Sequence, residues 1–296
     1  MPATEQKADD TIDIAMVVRV VSLYDLQRKY SFMINASHPL SQLFKFAENM
    51  YYPGGVMPIL KRVYEPDFFP GGCGLWDVKP RDLWPALPVD GMYGVSVLVL
   101  GHNFGSEKFY CGCLESASEN RRLIRGSSTW PNLKELLNEA GVCEHRCFLT
   151  NFFMGCRPGC KMTGKFPGAK DPNFVAECIK LLRLTVQVVR PRALLILGKE
   201  TWPYLGALAP ELNVWHKGFP KSEEFTFAKM DHRGIALVPK VVVNGAPLFG
   251  ATIVVHPSGA KMGGNQAKRS FDGKTGLEAE ALTLRRAIGV RSDISQ

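Results

Sequence analysis

Residues 251–264 have the sequence ATIVVHPSGAKMGG, which joins an apolar run to a polar turn and a small-residue loop. The β-branched run predicts a buried strand, and Pro257 and Gly259 end it abruptly. His256 is therefore expected at the carboxyl end of a strand, where open α/β sheets bind their ligands. The loop beyond it carries three cations: Lys261, Lys268 and Arg269. A titratable group beside a cationic loop suits an enzyme that acts on a polyanion, although a histidine at a strand end is more often structural.

Apolar strands alternate with amphipathic helices in the rest of the chain. Continuous apolar runs predict further strands over residues 95–100, 147–153 and 192–197. Helical spacing is found at residues 40–51, 57–63, 133–140, 173–189 and 276–287, and from residue 199 onward. Strands that are apolar throughout are typical of a parallel sheet covered on both faces. The sequence therefore predicts an α/β fold, a three-layer α/β/α sandwich with a four-stranded parallel central sheet. Asn132 is placed to cap the helix at 133–140, and residues 235–243 are a candidate extra strand.

Composition and charge narrow the class of protein. The chain has 46% hydrophobic and 22% charged residues, which is typical of a globular protein. Its net charge of +8 permits a nucleic-acid partner without requiring one. No apolar run is long enough to cross a bilayer, and the polar start has no signal-peptide core. We therefore expect a cytoplasmic protein without a membrane partner, in which the eight cysteines are thiols or metal ligands.

The pattern along the chain predicts one folded domain. Residues 1–12 are polar and expected to be disordered. Residues 13–90 are aromatic, proline-rich and irregular, and no linker separates them from the regular pattern that begins at Gly91. We therefore expect a single domain over residues 13–296, in which 13–90 is an extension packed on a core formed by 91–290.

Three of the predicted strands end in polar turns. The first is followed by Gly-His-Asn-Phe-Gly at residues 101–105, the second ends at Asn151, and the last is followed by His-Pro-Ser at residues 256–258. Turns at the carboxyl ends of parallel strands converge on one crevice. The sequence thus predicts one shared site built from three distant segments.

In their order, these turns resemble the motifs of the uracil-DNA glycosylase superfamily. That superfamily has a Gly-x-(Asn/Asp/Ala)-Pro-(Gly/Tyr) turn after its first core strand, a later strand that ends in Asn, and a final His-Pro-Ser loop. Residues 150–158, TNFFMGCRP, are similar to the Thr-Asn-x-x-x-Cys-Arg-Pro of its thermostable iron–sulfur branch, with one extra residue before the cysteine. The resemblance covers residues 93–290. Residues 13–90 show no comparable motif.

The resemblance implies a monofunctional DNA glycosylase that flips deoxyuridine out of DNA and hydrolyses its N-glycosidic bond. Uracil-containing and abasic-site DNA are then the expected partners, and a monomer is the expected state. Two alternatives keep the fold: a glycosylase for a broader set of mismatched or deaminated bases, and a non-catalytic binder of uracil or abasic DNA. The dinucleotide, Walker and Gly-x-Ser-x-Gly signatures of other α/β enzymes are absent from the sequence.

The resemblance also implies catalytic roles. His256 would stabilise the negative charge that develops on uracil O2 as the bond breaks. Asn103 stands where the Asn-bearing relatives have the asparagine that orients and polarises the attacking water. His102 stands one place after the motif glycine, where the iron–sulfur branch has Glu, and is a second candidate for acid–base help.

Substrate and DNA contacts follow from the same comparison. The amide of Asn151 matches the Watson–Crick edge of uracil, Gly101 and Phe104 belong to the turn beneath the base, and Phe109 or Tyr110 would stack on it. Phe104 replaces the usual proline of that turn. Met262 would act as an apolar wedge in the minor groove. Phosphate contacts are expected from the rest of the loop: Ser258, Lys261, Lys268 and Arg269.

No cofactor is expected. Cys156 and Cys178 lie near two cluster-ligand positions of the iron–sulfur branch, but the N-terminal Cys-x-x-Cys that supplies the other two ligands is missing from the sequence. Cys147 falls inside a predicted strand and is expected in the core. An iron–sulfur cluster or zinc remains the alternative, with Cys156 and Cys178 as its candidate ligands.

Overall fold

The computed structural model describes residues 39–58, 73–74, 96–108, 129–161, 164–219, 221, 224–259 and 265–289. Backbone contacts divide the chain after Ser41, and apart from residues 39–41 everything below concerns the unit from Gln42 onward.

The described helices are α1 (Pro39–Glu48), α2 (Thr129–Glu139), α3 (Pro172–Val189), α4 (Trp202–Leu208), α5 (Asn213–Gly218), α6 (Phe227–His232) and α7 (Gly276–Ala287). The described strands are β1 (Cys73–Gly74), β2 (Val97–Gly101), β3 (Cys147–Asn151), β4 (Ala193–Leu197), β5 (Leu237–Val243), β6 (Ala246–Val254), β7 (Ser270–Phe271) and β8 (Lys274–Thr275). Short 3-10 helices cover Glu144–Arg146, Pro167–Lys170, Pro210–Leu212 and Pro257–Gly259.

The main sheet has the strand order β1-β3-β2-β4-β6-β5. The four long parallel strands β3, β2, β4 and β6 are the four that the apolar runs predict, so the predicted fold class is confirmed. Two strands extend it: the short β1 pairs in parallel with β3, and β5 pairs antiparallel with β6 at the other edge. Every residue of β2 and β4 is buried, as expected for strands covered on both faces.

Helix α7 packs on β4, β5 and β6, and α2 packs on α7. Helix α3 packs against α4, and Asp171 caps α3 by accepting a hydrogen bond from the amide of Phe174 at 3.0 Å. The bounds of α7 are those that its sequence predicts. None of the described helices is long and apolar enough to span a bilayer.

Several predicted boundaries are wrong. Helix α2 begins at Thr129 and not at residue 133, because Pro131 in the first turn lacks only an N–H that would be unpaired there anyway. Asn132 therefore lies inside the helix and does not cap it. Strand β6 begins at Ala246, since its first residues pair with β5 before it reaches β4. Met57 forms a bridge with Cys156 and does not begin a helix.

Part of the N-terminal region contacts the core. The hydroxyl of Tyr51 donates to Asp171 at 3.2 Å, and the ring of Tyr52 lies 5.8 Å from that of Phe174. The amide of Met57 donates to the carbonyl of Cys156 at 3.0 Å. Residues 1–12 lie outside the described residues, and the packing of 13–90 as a whole stays a prediction.

The strand order locates a crevice. The chain passes from β2 to β3 on one side and then crosses to β4 on the other side of β2. The loops that follow β2 and β4 therefore leave the sheet in opposite directions, and the carboxyl ends of strands at such a switch point are where open α/β sheets bind their ligands.

Candidate active site

The turn after β2 is held against the segment that follows β3. The amide of Phe153 donates to the carbonyl of His102 at 2.9 Å, and the amide of Arg157 donates to the carbonyl of Gly105 at 2.9 Å. The amide of Glu107 returns a bond of 2.7 Å to the carbonyl of Arg157. These bonds continue the β2–β3 pairing beyond the ends of both strands. The first polar turn is thus fixed by main-chain bonds.

Gly101 and Asn151 are opposite each other at the last register position of β2 and β3. A Cβ atom at Gly101 would collide with Oδ1 of Asn151. The partly exposed carboxamide of Asn151 therefore occupies the space that the missing side chain of Gly101 leaves free.

The orientation of the Asn103 amide follows from its main-chain partner. The backbone N–H of Gly105 lies 2.7 Å from Oδ1 of Asn103, and a backbone N–H can only donate. Nδ2 of Asn103 therefore faces Nδ1 of His102, 2.7 Å away, and donates to it. Since Nδ1 of His102 accepts, the neutral ring carries its proton on Nε2.

His102 is a neutral imidazole at physiological pH. Its pKa is lowered from 6.5 to about 4, chiefly by burial, further by the positive charge of Arg157, and last by repulsion from the protonated form of the nearby His256. The ring meets Phe153 edge-on at a centroid distance of 5.3 Å. Such a ring offers an N–H donor at Nε2 and is a poor proton acceptor.

His256, directly after Val255 at the end of β6, has the same protonation. The backbone N–H of Ser258 donates to Nδ1 of His256 at 3.2 Å, and the Ser258 hydroxyl lies 2.7 Å from the same nitrogen. Burial lowers the pKa of His256. The neutral ring therefore carries its proton on Nε2, so His102 and His256 are both N–H donors.

Gly198 allows His256 to take this position. It follows β4 with a φ of +80°, and its amide donates to the carbonyl of Val254 at 2.9 Å. A Cβ atom on Gly198 would lie 3.0 Å from Cβ of His256. Gly198 directly follows the predicted strand at 192–197, and no local feature of the sequence indicates its contact with His256, which depends on the pairing of β4 with β6.

One comparison with known proteins bears on this geometry. The family model of the uracil DNA glycosylase superfamily matches residues 118–273, more than half of the chain. The chain belongs to the uracil DNA glycosylase superfamily. None of the curated proteins compared with the chain matches it. The matched range includes Asn151 and His256, and the turn that carries His102 and Asn103 precedes it.

In this superfamily member, Asn132 supports the His-Pro-Ser turn. Its Nδ2 donates to the carbonyl of Pro257 at 2.7 Å, across 125 positions of sequence. The local sequence predicts only a helix cap at Asn132, so this long-range role is not apparent from it. The signal available in the sequence was Pro131, which places Asn132 in the first turn of α2 and so excludes it from the cap position.

The cationic loop of this glycosylase-superfamily chain differs from the prediction at Arg269. Its side chain is 0% exposed and forms ion pairs with Asp231 and Glu280. The expectation that Arg269 neutralises a phosphate is therefore wrong, because the guanidinium is buried and already paired. Lys268 and Ser258 are exposed. Four candidates lie outside the described residues: Phe109, Tyr110, Lys261 and Met262.

The remaining candidates are buried. Phe104 is 2% exposed, so a base could stack on its ring only after neighbouring groups moved. Cys147 lies in the core as predicted. Cys156 and Cys178 are also buried, and burial raises the pKa of the Cys178 thiol to about 12. Within the described ranges, no three His, Cys, Asp or Glu side chains are grouped as a metal site requires.

Proposed function

We propose that the chain is a monofunctional uracil-DNA glycosylase that removes uracil from DNA and leaves an abasic site, which initiates base excision repair. Membership of the superfamily supports a DNA glycosylase-type function that hydrolyses N-glycosyl bonds in DNA. The more specific proposal depends on Asn151. Uracil has an acceptor at O4 and a donor at N3, and the Asn151 carboxamide at the end of β3 has one group of each kind.

The proposed chemistry begins with the departure of the base. Cleavage of the N-glycosidic bond leaves the bonding electrons on the uracil ring and a positive charge on the sugar. The Nε2–H of neutral His256 would donate to uracil O2 as its negative charge develops. A donor that is oriented beforehand lowers the barrier without reorganisation, and the contacts of Ser258 with Nδ1 support that orientation.

Water then attacks the anomeric carbon. One lone pair of Asn103 Oδ1 accepts from Gly105, and the second is free by valence to accept a hydrogen bond from water. An amide does not deprotonate water, so Asn103 would position it for attack on an already cationic sugar. His102 would contribute a second N–H donor, since its low pKa and its acceptor role towards Asn103 make it unsuited to be the general base.

The partner we propose is DNA that contains uracil or an abasic site, bound by a monomer in the cytoplasm. The first experiment is excision from a labelled oligonucleotide with one uracil, followed by alkaline cleavage. His256→Ala should lose activity, while His232→Ala, which removes an exposed histidine of α6, should keep it. Parallel substrates with a G·T mismatch or hypoxanthine test the broader-base alternative. Tight binding of abasic DNA without cleavage would contradict the proposal and favour the non-catalytic binder.

A further inference from the structure

A buried carboxylate fastens the end of β6, next to His256. The backbone N–H of Val255 donates to Oε1 of Glu280 on α7 at 2.7 Å. Val255 is the residue immediately before His256, so this bond fixes the backbone from which the imidazole projects.

The same carboxylate also binds two residues that follow the predicted loop after His256. Nε2 of Gln266 donates to Oε2 of Glu280 at 2.8 Å. Nη1 of Arg269 donates to Oε1 of Glu280 at 2.8 Å and to the carbonyl of Ile253 at 3.1 Å. Glu280 therefore bonds to residues on both sides of the predicted loop, Val255 before it and Gln266 and Arg269 after it.

Asp231 completes the network from a third element. Its Oδ2 accepts from Nε of Arg269 at 2.9 Å and from the amide of Ser270 at 2.8 Å. The three charged side chains are at most 2% exposed. Burial raises the pKa of Glu280, and Arg269 opposes this effect. Buried ion pairs rarely stabilise a fold more than apolar packing does, whereas their hydrogen bonds are directional. Directional bonds of this kind can fix the orientation of the neighbouring His256 imidazole.

We propose that Glu280 is a positioning residue for His256, acting with Arg269 and Gln266 to hold the chain immediately before His256 and again after residue 265. Its acceptor oxygens set the direction of the His256 Nε2–H without touching the substrate. The consequence for catalysis rests on the proposed glycosylase function, whereas the consequence for the His256 ring does not.

Two variants of similar size distinguish the effect of the Glu280 hydrogen-bond acceptors from the effect of its negative charge. Glu280→Gln keeps an acceptor for the Val255 N–H. The Gln266 side-chain amide can rotate so that its oxygen accepts from the new amide nitrogen. Glu280→Leu has no acceptor. In both variants Arg269 keeps Asp231, so no buried charge loses its last partner. Thr283→Val is the matched control, since the buried Thr283 hydroxyl donates only within α7, to the carbonyl of Glu280 at 2.7 Å.

Two measurements are made on the full chain: the single-turnover rate of uracil excision and the ¹⁵N spectrum of the His256 ring. Glu280→Leu should lower the rate by roughly tenfold or more, as misaligned catalytic groups do, and should replace the single tautomer with a mixture. Glu280→Gln should stay within about threefold of the wild-type rate, and Thr283→Val should match the wild type. Equal loss in both Glu280 variants, or an unchanged ring spectrum or rate in Glu280→Leu, would overturn the proposal.

The design separates this proposal from the proposed function. If the wild type excises no uracil, the glycosylase proposal fails, and the ring spectrum alone decides whether Glu280 positions His256. If Glu280→Leu does not fold, Gln266→Leu takes its place, since Gln266 is partly exposed and its loss removes one of the bonds to Glu280. That variant should also give mixed tautomers, and an unchanged spectrum would overturn the proposal.

Discussion

Oδ1 of Asn151 lies in the space where Gly101 would carry a Cβ atom. The two residues are paired in register at the carboxyl ends of adjacent parallel strands. The glycine of the first motif and the asparagine of the second therefore belong to one structural unit. The carboxamide proposed to recognise uracil can reach its position only because residue 101 has no side chain.

Gly101→Ala should displace the Asn151 side chain and lower uracil excision by about a hundredfold, since misplacing a substrate-contacting group by about 1 Å has effects of this size. Single-turnover excision measures the change. Gly54→Ala is the control, because a Cβ atom there meets nothing within 4 Å. Equal activity of the two variants would show that Asn151 is not needed where it lies.

Asn151→Asp should weaken excision of uracil and admit cytosine. A carboxylate loses the N–H that faces uracil O4 and gains an acceptor for the exocyclic amino group of cytosine. Excision rates on matched oligonucleotides with uracil or cytosine at the same position measure the switch. If the ratio of the two rates is unchanged, Asn151 does not contact the base.

Asn103→Ala should slow the chemical step by a factor of about a hundred or more while leaving DNA affinity unchanged. The substitution removes the oxygen proposed to hold water and also the donor that faces Nδ1 of His102. Single-turnover excision and binding of abasic-site DNA are measured side by side. Parallel losses in rate and affinity would count against a role in positioning water.

The buried His102 ring should make stability depend on pH. Its pKa is about 4 in the folded chain and about 6.5 when unfolded, so below pH 6.5 the unfolded chain binds a proton that the folded chain does not. Stability should therefore fall as the pH drops, by about 2 kcal/mol between pH 7 and pH 5. The lowered pKa of His256 acts in the same direction.

Urea unfolding at pH 7 and pH 5 tests this prediction. His102→Gln should reduce the difference in unfolding free energy between the two pH values. His232→Gln, at an exposed histidine, should leave that difference unchanged. A full pH difference retained in His102→Gln would show that another group is responsible.

The four long parallel strands and the positions of the three polar turns could be predicted from the sequence. Continuous apolar runs mark β2, β3, β4 and the second half of β6, because a strand covered on both faces excludes polar side chains. The bounds of α7 were also predicted correctly, because its apolar spacing and the glycine at its first position are both features of the local sequence. Membership of the superfamily was visible in the same turns.

Which side chains come into contact depends on the tertiary structure. Arg269 and Lys268 are neighbouring cations in the sequence, yet one is buried against Asp231 and Glu280 and the other is exposed. Asn132 binds Pro257 across 125 residues. Local patterns report the period and polarity of an element, whereas partners across the fold depend on strand order and helix packing. The order β3-β2-β4-β6 is what brings His256 next to Gly198.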